Sequence, residues 1–480
     1  MKTFLCVYIG SAFLAVIFTP LVIKLARKIK AIDRPGARAV HTKPIPRIGG
    51  VAIFISAMSL IILILFLNNT LGDAFRNMKL QLLALFCSST FIFFIGLYDD
   101  LKGLPARFKF LAELLAAAAL CLVGIRISLI SFTEQWTLNF GWLSYPITIF
   151  WIVGITNAVN LSDGLDGLAA GISAVTCGVI AILAIHSGSV VMTLFMLALL
   201  GSLSGFIFFN FNPAKIFMGD CGSLFLGFMI ASSSILCSMK YSTLVALALP
   251  ILTLGIPIFD TLFSMLRRFL ERRSIFSPDR SHFHHRLVDL GLKQRHVVIT
   301  IYIITLLFAG LGMFMMVTQD IKTIVIFFCI LLLLFLVFHV AGSVRLRDTI
   351  TGLQRKHRIN HQIQKEKKNF ENVELDFRRA ANFNQWWEAA CRAAKGLDFA
   401  WLSLKSESID GTIRTEVWRM PDFNPTPSKL IIMNIPLDHN GGNTSYEFEV
   451  AISINGSLES ASHRATLFSR LIDEYKICIT

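Results

Sequence analysis

Eleven stretches of roughly twenty apolar residues recur along this 480-residue chain, and they restrict what it can fold into. A helix needs about 20 such residues to cross the hydrocarbon core of a bilayer. The stretches fall near residues 4–23, 48–67, 80–97, 110–127, 145–161, 168–187, 189–209, 222–239, 242–263, 297–317 and 323–341. Hydrophobic residues make up 54% of the chain and charged residues 16%, with a mean hydropathy of +0.64. A water-soluble fold cannot hide that much apolar surface. The nine cysteines form no Cys-x-x-Cys pair and lie mostly in apolar runs, which argues against a disulfide scaffold or a thiolate metal site. The first stretch lacks a basic leader and a small-residue cleavage site, so it reads as a retained span. The expected class is an all-α polytopic membrane protein with about 11 transmembrane helices.

Orientation follows from the basic residues. The loops after spans 1, 3, 5, 7 and 9 carry twenty Lys and Arg, whereas the other loops and spans before residue 344 carry six. Basic residues stay in the cytoplasm. The chain is therefore expected to start outside and end inside. Residues 1–343 form the membrane domain and 344–369 a basic juxtamembrane stem of net charge +6. The stem reads either as a contact for anionic lipid head groups or as a simple stop-transfer flank. Residues 370–480, with net charge −4, read as a small soluble α/β domain. Its expected helices are 370–395 and 462–475, and its expected strands 399–404, 415–418, 429–435 and 446–454. Asp410-Gly411, Gly441-Gly442 and Asn455-Gly456 supply turns. It carries no catalytic motif, so a ligand-sensing or partner-docking role is expected of it.

The carboxylates are unevenly placed. Asp99, Asp100, Asp163, Asp166, Asp220 and Asp260 fall on the side of the odd-numbered loops, and the opposite side has Asp73, Glu134 and Asp320. Ionisable groups near a membrane are costly and tend to be functional. Singly, each reads as a helix-end carboxylate paired with a nearby Lys or Arg. Together, in four clusters on one face, they indicate a divalent-metal site that handles an anionic substrate.

The first cluster is Asp99-Asp100, with Arg107 and Lys109 following. Neighbouring carboxylates on a helix cannot both face one metal. A division of labour is expected, one orienting or deprotonating a nucleophile and the other taking a cation or metal-bound water. In the second cluster Asn157, Asn160, Asp163 and Asp166 recur every third residue. A continuous helix would rotate that stripe by about 60° per step, so Gly164 and Gly167 are expected to break it into a loop. Its hard oxygen and amide groups suit Mg²⁺ or a base and ribose. The third cluster runs from Asn210 through Pro213 and Phe217 to Asp220, with Gly219 and Gly222 marking an irregular loop. Asp220 is expected at a helix entrance beside open backbone amides, a place for a metal–phosphate complex. Phe217 reads as a base-stacking ring or as ordinary loop packing. The fourth cluster holds Arg272, Arg273, Arg280, His282, His284, His285 and Arg286. Three histidines first suggest zinc. They lack metalloprotease spacing, however, and the surrounding arginines favour phosphate or sugar.

Jointly these motifs resemble the polyprenyl-phosphate N-acetylhexosamine-1-phosphate transferases (the MraY/WecA type) over about residues 1–340. The resemblance implies that UDP-N-acetylhexosamine and a polyprenyl phosphate give polyprenyl-diphosphate-N-acetylhexosamine and UMP, with Mg²⁺ or Mn²⁺. It implies Asp220 as the metal-binding residue, with Asp100 sharing that cation. Asp99 and Asp100 would engage the lipid phosphate beside Lys109. Asn157, Asn160, Asp163, Asp166 and Asn210 would lie near the nucleotide, and Phe217 would stack on uracil. The His282-Phe-His284-His285 loop with Arg280 ahead of it looks like the branch that uses UDP-N-acetylglucosamine. An enzyme of the bacterial inner membrane with a cytoplasmic active site is implied. The same reaction with N-acetylgalactosamine, a diaminosugar or muramyl-pentapeptide stays open. A cation-coupled transporter is the rival from another class, but its site would lie near the bilayer midplane in duplicated segments. Expected partners are the UDP-sugar, undecaprenyl phosphate and the membrane; a homodimer and a protein partner for the tail stay open, and no nucleic acid is expected.

Overall fold

The computed structural model describes residues 2–33, 44–65, 79–131, 137–238, 243–270, 283–289, 291–318, 321–340, 374–408, 412–421, 430–437, 444–454 and 458–475. The chain forms two compact units, Met1–Thr349 and Ile350–Thr480. The basic stem lies outside the described residues, as do Asp73, Glu134, Asp320 and the three expected tail turns.

In the first unit the apolar stretches all become helices: α1 (Lys2–Lys28), α2 (Gly50–Leu65), α3 (Lys79–Lys102), α4 (Ala106–Leu122), α5 (Ser144–Ser162), α6 (Leu168–His186), α7 (Val190–Asn210), α8 (Gly219–Ser238), α9 (Thr243–Thr253), α10 (Gly255–Leu270), α12 (Gln294–Thr318) and α13 (Ile321–Val340), with the short α11 (Phe283–Asp289) between. Among the described residues seven helices are long and apolar enough to cross a membrane, or eight if one bent pair counts as a span. Large apolar side chains point outward on them, including Phe13, Phe150 and Phe208 (64%, 74% and 79% exposed). Such surface is stable only against lipid, and helices satisfy their own backbone there. This is a multi-pass membrane protein.

The expected ninth span departs from a straight rod. α9 and α10 meet at a 78° bend. Pro250 withholds an amide from α9, and the Gly255-Ile-Pro257 sequence follows directly. The expected fourth span is also shorter, since α4 ends at Leu122 and the chain turns at Gly124 into a ribbon of β3 (Leu129–Ser131) and β4 (Thr137–Asn139).

α8 is the central helix, with 94% of its span buried, against 28% for α1. Small residues let the bundle close. A Cβ at Gly201 would lie 2.2 Å from the Tyr8 carbonyl oxygen, and one at Gly205 2.4 Å from that of Ala12. This Gly-x-x-x-Gly face brings α7 backbone-close to α1, as packing without a hydrophobic driving force requires.

The segments between helices also meet. β1 (Ile32–Asp33) pairs antiparallel with β2 (Ile45–Pro46). The Phe217 amide donates to the Pro46 carbonyl (2.7 Å), Gly49 to Phe217 (2.9 Å) and Gly50 to Met218 (2.7 Å). The segment after α1 is thereby joined to the segment after α7.

The second unit is a four-stranded sheet of β5 (Phe399–Ser408), β6 (Ile413–Arg419), β7 (Leu430–Leu437) and β8 (Thr444–Ser453), ordered β6-β5-β8-β7. Every pairing is antiparallel. The expected small domain of helices and strands is therefore of the α+β kind, with an antiparallel sheet. α14 (Phe383–Gly396) and α15 (Leu458–Glu474) cover one face: Trp386, Ala390, Phe468 and Leu471 share a core with Leu402, Leu404, Phe448 and Val450. Asn382 caps α14 by accepting from the Gln385 amide (2.9 Å), and the Gln385 side chain accepts from the Ala381 amide (2.9 Å).

Candidate active site

Six helix ends meet where the sequence concentrates its carboxylates: the C-termini of α3, α5 and α7 and the N-termini of α4, α6 and α8. At their centre the Lys109 ammonium donates to Asp220 Oδ2 (2.6 Å) and to Asp99 Oδ2 (2.9 Å). The other Asp99 oxygen accepts the Leu104 amide, which fixes the carboxylate across the α3–α4 turn.

Asp99 and Asp100 face different partners. Asp100 Oδ1 accepts the amide of Asp220 and Oδ2 that of Cys221, both at 3.0 Å. The first amides of a helix need acceptors, and a carboxylate only 5% exposed needs donors. The amides expected to stand open at α8 are therefore occupied. Asp100, expected as a second metal ligand, holds the helix that carries Asp220 through both of its oxygens. Gly219 permits this approach. It sits at φ +75°, and a Cβ there would lie 2.6 Å from Asp100 Oδ2 and 2.0 Å from the Arg47 carbonyl. Arg47 in turn donates through Nε to the Asp100 carbonyl (2.6 Å).

The Asn/Asp stripe breaks where expected. α5 stops at Ser162, residues 163–167 form a turn, and Gly167 at φ +81° starts α6. Asn160 accepts from the Ser223 hydroxyl (2.7 Å) on α8. Asp163 keeps part of its surface open, yet desolvation within the cluster and the charges of Asp220 and Asp100 push its carboxyl up to about 8. Asp166 serves the neighbouring loop: its Oδ2 accepts from the Asn212 side chain (2.9 Å) and the Ala214 amide (3.0 Å). Asn210 donates to the Ile216 carbonyl (2.8 Å) while its buried Oδ1 has no partner among the described residues. Phe217 is pinned by its backbone and partly buried. Asn157 donates to Glu113 and to the Val153 carbonyl (2.9 Å).

The fourth cluster is only partly visible. Arg280 and His282 lie outside the described residues, as do the side chains of His284 and His285 on α11. The start of α11 is tied to α10, where Asp260 Oδ1 accepts the Phe283 amide (2.9 Å).

Several contributors escaped the sequence reading. Glu113 is a lone acid within an apolar stretch, which was a legible signal. Arg47, Gln294 and Tyr302 carried none. Gln294 accepts from Asn212 (3.0 Å), and the Tyr302 hydroxyl donates to the Gly167 carbonyl.

Among the described residues no three His, Cys, Asp or Glu side chains converge as a metal cage. The donor set still fits Mg²⁺, which binds through one or two carboxylates with phosphates and water completing its shell. Asp99 and Asp220 share the single Lys109 ammonium, two carboxylates to one cation, which is a donor set of the size Mg²⁺ takes from a protein.

A family model described as "Glycosyl transferase family 4" matches residues 82–238, which contain all of this cluster. Over 305 residues the chain is 42% identical to a probable undecaprenyl-phosphate N-acetylglucosaminyl 1-phosphate transferase of Bacillus subtilis, covering 63% of this chain and 82% of that protein. It is 35% identical to a decaprenyl-phosphate N-acetylglucosaminephosphotransferase of Mycobacterium leprae, covering 61% and 79%. It is 33% identical to a phospho-N-acetylmuramoyl-pentapeptide-transferase of Shouchella clausii, covering 65% and 97%. The class is thus a multi-pass membrane transferase with its polar site at the helix ends. The chain belongs to glycosyl transferase family 4.

Proposed function

We propose that this protein transfers N-acetylglucosamine-1-phosphate from UDP-N-acetylglucosamine to undecaprenyl phosphate, releasing UMP. The reaction would start a cell-envelope glycan on a lipid diphosphate at the cytoplasmic face of the bacterial plasma membrane. The observation that carries this is the Lys109 bridge between Asp99 and Asp220 at a shared helix-end surface. A phosphate whose lipid tail stays in the bilayer reaches such a surface, whereas a midplane transport site lies elsewhere.

Phosphoryl transfer asks the protein chiefly for charge neutralisation and alignment. Asp220 would hold Mg²⁺ or Mn²⁺, which when bound neutralises the sugar-nucleotide diphosphate. Lys109 places a positive charge between the carboxylates, where it offsets the charge of the incoming lipid phosphate. Asp99 aims that ammonium. A phosphomonoester has a second pKa near 6, so the acceptor is already largely a dianion at neutral pH. Asp99 therefore positions rather than deprotonates. Asn210, whose Oδ1 has no partner among the described residues, would offer an acceptor to the uridine, Phe217 would stack on its base, and Arg280, His282, His284 and His285 are assigned to the sugar and its phosphate.

The test is UMP release by the full-length protein in detergent with undecaprenyl phosphate, Mg²⁺ and each of three UDP-sugars. UDP-N-acetylglucosamine is expected to react fastest. Faster turnover of UDP-N-acetylgalactosamine or UDP-N-acetylmuramoyl-pentapeptide would move the assignment to that sugar. Absence of UMP with all three would sink the reading.

A further inference from the structure

Glu113 has no part in the chemistry above, yet it is a carboxylate only 1% exposed within the apolar helix α4. A buried acid in a membrane bundle is costly unless it is partnered, and in membrane spans it is functional by default. Its partner is Asn157, whose Nδ2 donates to Glu113 Oε2. The same nitrogen donates to the Val153 carbonyl (2.9 Å). With both amide hydrogens committed, the remaining hydrogen-bonding atom of the Asn157 side chain is the acceptor Oδ1.

The placement forms a second layer. Glu113 follows Lys109 by four residues on α4, one turn and about 6 Å deeper. Asn157 precedes Asn160 by three residues on α5, again one turn deeper. The upper layer touches the cluster directly, through Lys109 on Asp99 and Asp220 and through Asn160 on Ser223. The lower layer is the Glu113–Asn157 pair.

We infer that Glu113 is a positioning residue for nucleotide-sugar binding: it fixes the Asn157 amide so that Oδ1 faces outward as an acceptor for the UDP-sugar. This rests on the proposed reaction, with Asn157 on the nucleotide side as the family resemblance implies. The competing role is that of an interhelical staple, which would hold α4 to α5 without affecting any ligand.

Equilibrium binding of UDP-N-acetylglucosamine to the full-length protein, without lipid acceptor, separates the two. Glu113→Leu is expected to weaken binding about tenfold, the scale of one lost hydrogen bond. Glu113→Gln keeps a carbonyl acceptor and should restore affinity to within about threefold of wild type. Asn157→Ala should weaken binding as Glu113→Leu does, and the double variant should bind no worse than Asn157→Ala alone. If Glu113→Leu does not fold, Glu113→Asp, which withdraws the carboxylate by one methylene, should weaken binding in its place. Unchanged affinity in Glu113→Leu with a lowered melting temperature leaves only the staple and overturns the proposal. Multiplying effects in the double variant overturn it as well, as would wild-type affinity in Asn157→Ala. Because binding is read without turnover, a protein that binds the nucleotide but releases no UMP would refute the proposed reaction alone.

Discussion

Asp100 and Asp220 are joined through backbone rather than side chain: the Asp100 carboxylate accepts the amides of Asp220 and Cys221 at 3.0 Å each. The two aspartates are therefore expected to fail differently. Asp220→Asn should remove turnover and leave thermal stability near wild type. Asp100→Asn would turn an amide donor toward another donor, leaving a buried group unpaired at a cost of about 1–3 kcal/mol. It should lower both melting temperature and turnover. Thermal melts with UMP release measure both, and turnover above about a tenth of wild type in Asp220→Asn would remove the metal assignment.

Lys109 occupies an oxygen of Asp220 that a divalent cation would also seek. Removing its charge should therefore separate metal binding from catalysis. Lys109→Met is expected to bind Mn²⁺ about tenfold or more tightly, because a like-charge repulsion is gone, while losing transfer to the lipid phosphate. Electron paramagnetic titration of Mn²⁺ measures the first effect. Weaker Mn²⁺ binding in this variant would show that Lys109 supports the metal.

Asp163 makes the site sensitive to pH. Its carboxyl is pushed up to about 8, above the ordinary value near 3.8. Between those values the folded protein holds a proton that the unfolded chain releases. Metal-free stability should therefore fall as pH rises from about 4 to 8. A divalent cation replaces that proton, so its affinity should rise with pH over the upper part of the same window. Asp163→Asn should flatten both dependences in thermal melts with and without Mg²⁺. A wild-type profile in that variant would assign the pH response to another group.

The tail supports a simpler expectation. Its core is built from its own residues, from Trp386 through Phe448 to Phe468. Truncation after Asn369 should leave UMP release measurable in detergent. A truncated protein that is well folded by size exclusion yet inactive would make residues 370–480 part of the catalytic machine.

Much of this site was legible because its chemistry is local in sequence. Asp99-Asp100, the Asn157-to-Asp166 stripe and the Gly164/Gly167 break each lie within about ten residues, and polar groups stand out between apolar spans. What was not legible depends on pairs far apart. Asp100 meets Asp220 across 120 positions, and Asp166 meets Asn212 across 46. Nothing in either segment alone shows that one will cap or clamp the other. The bend between α9 and α10 had a local cause in Pro250 and Gly255, but its apolar run was long enough to pass for one span. Glu113 was visible as a lone acid, and only the approach of α4 to α5 gives it Asn157 as a partner.

The central claim, that a sugar phosphate and not a sugar moves onto the lipid at this helix-end cluster, is tested most directly by isotope. Purified full-length protein would be incubated with undecaprenyl phosphate, Mg²⁺ and UDP-N-acetylglucosamine carrying ³²P in its β-phosphate. The account predicts that the label passes into the lipid fraction and that the nucleotide left in water is unlabelled UMP, with neither product formed by Asp220→Asn. Label recovered in aqueous UDP beside a glycosylated lipid, or equal label transfer by Asp220→Asn, would contradict it.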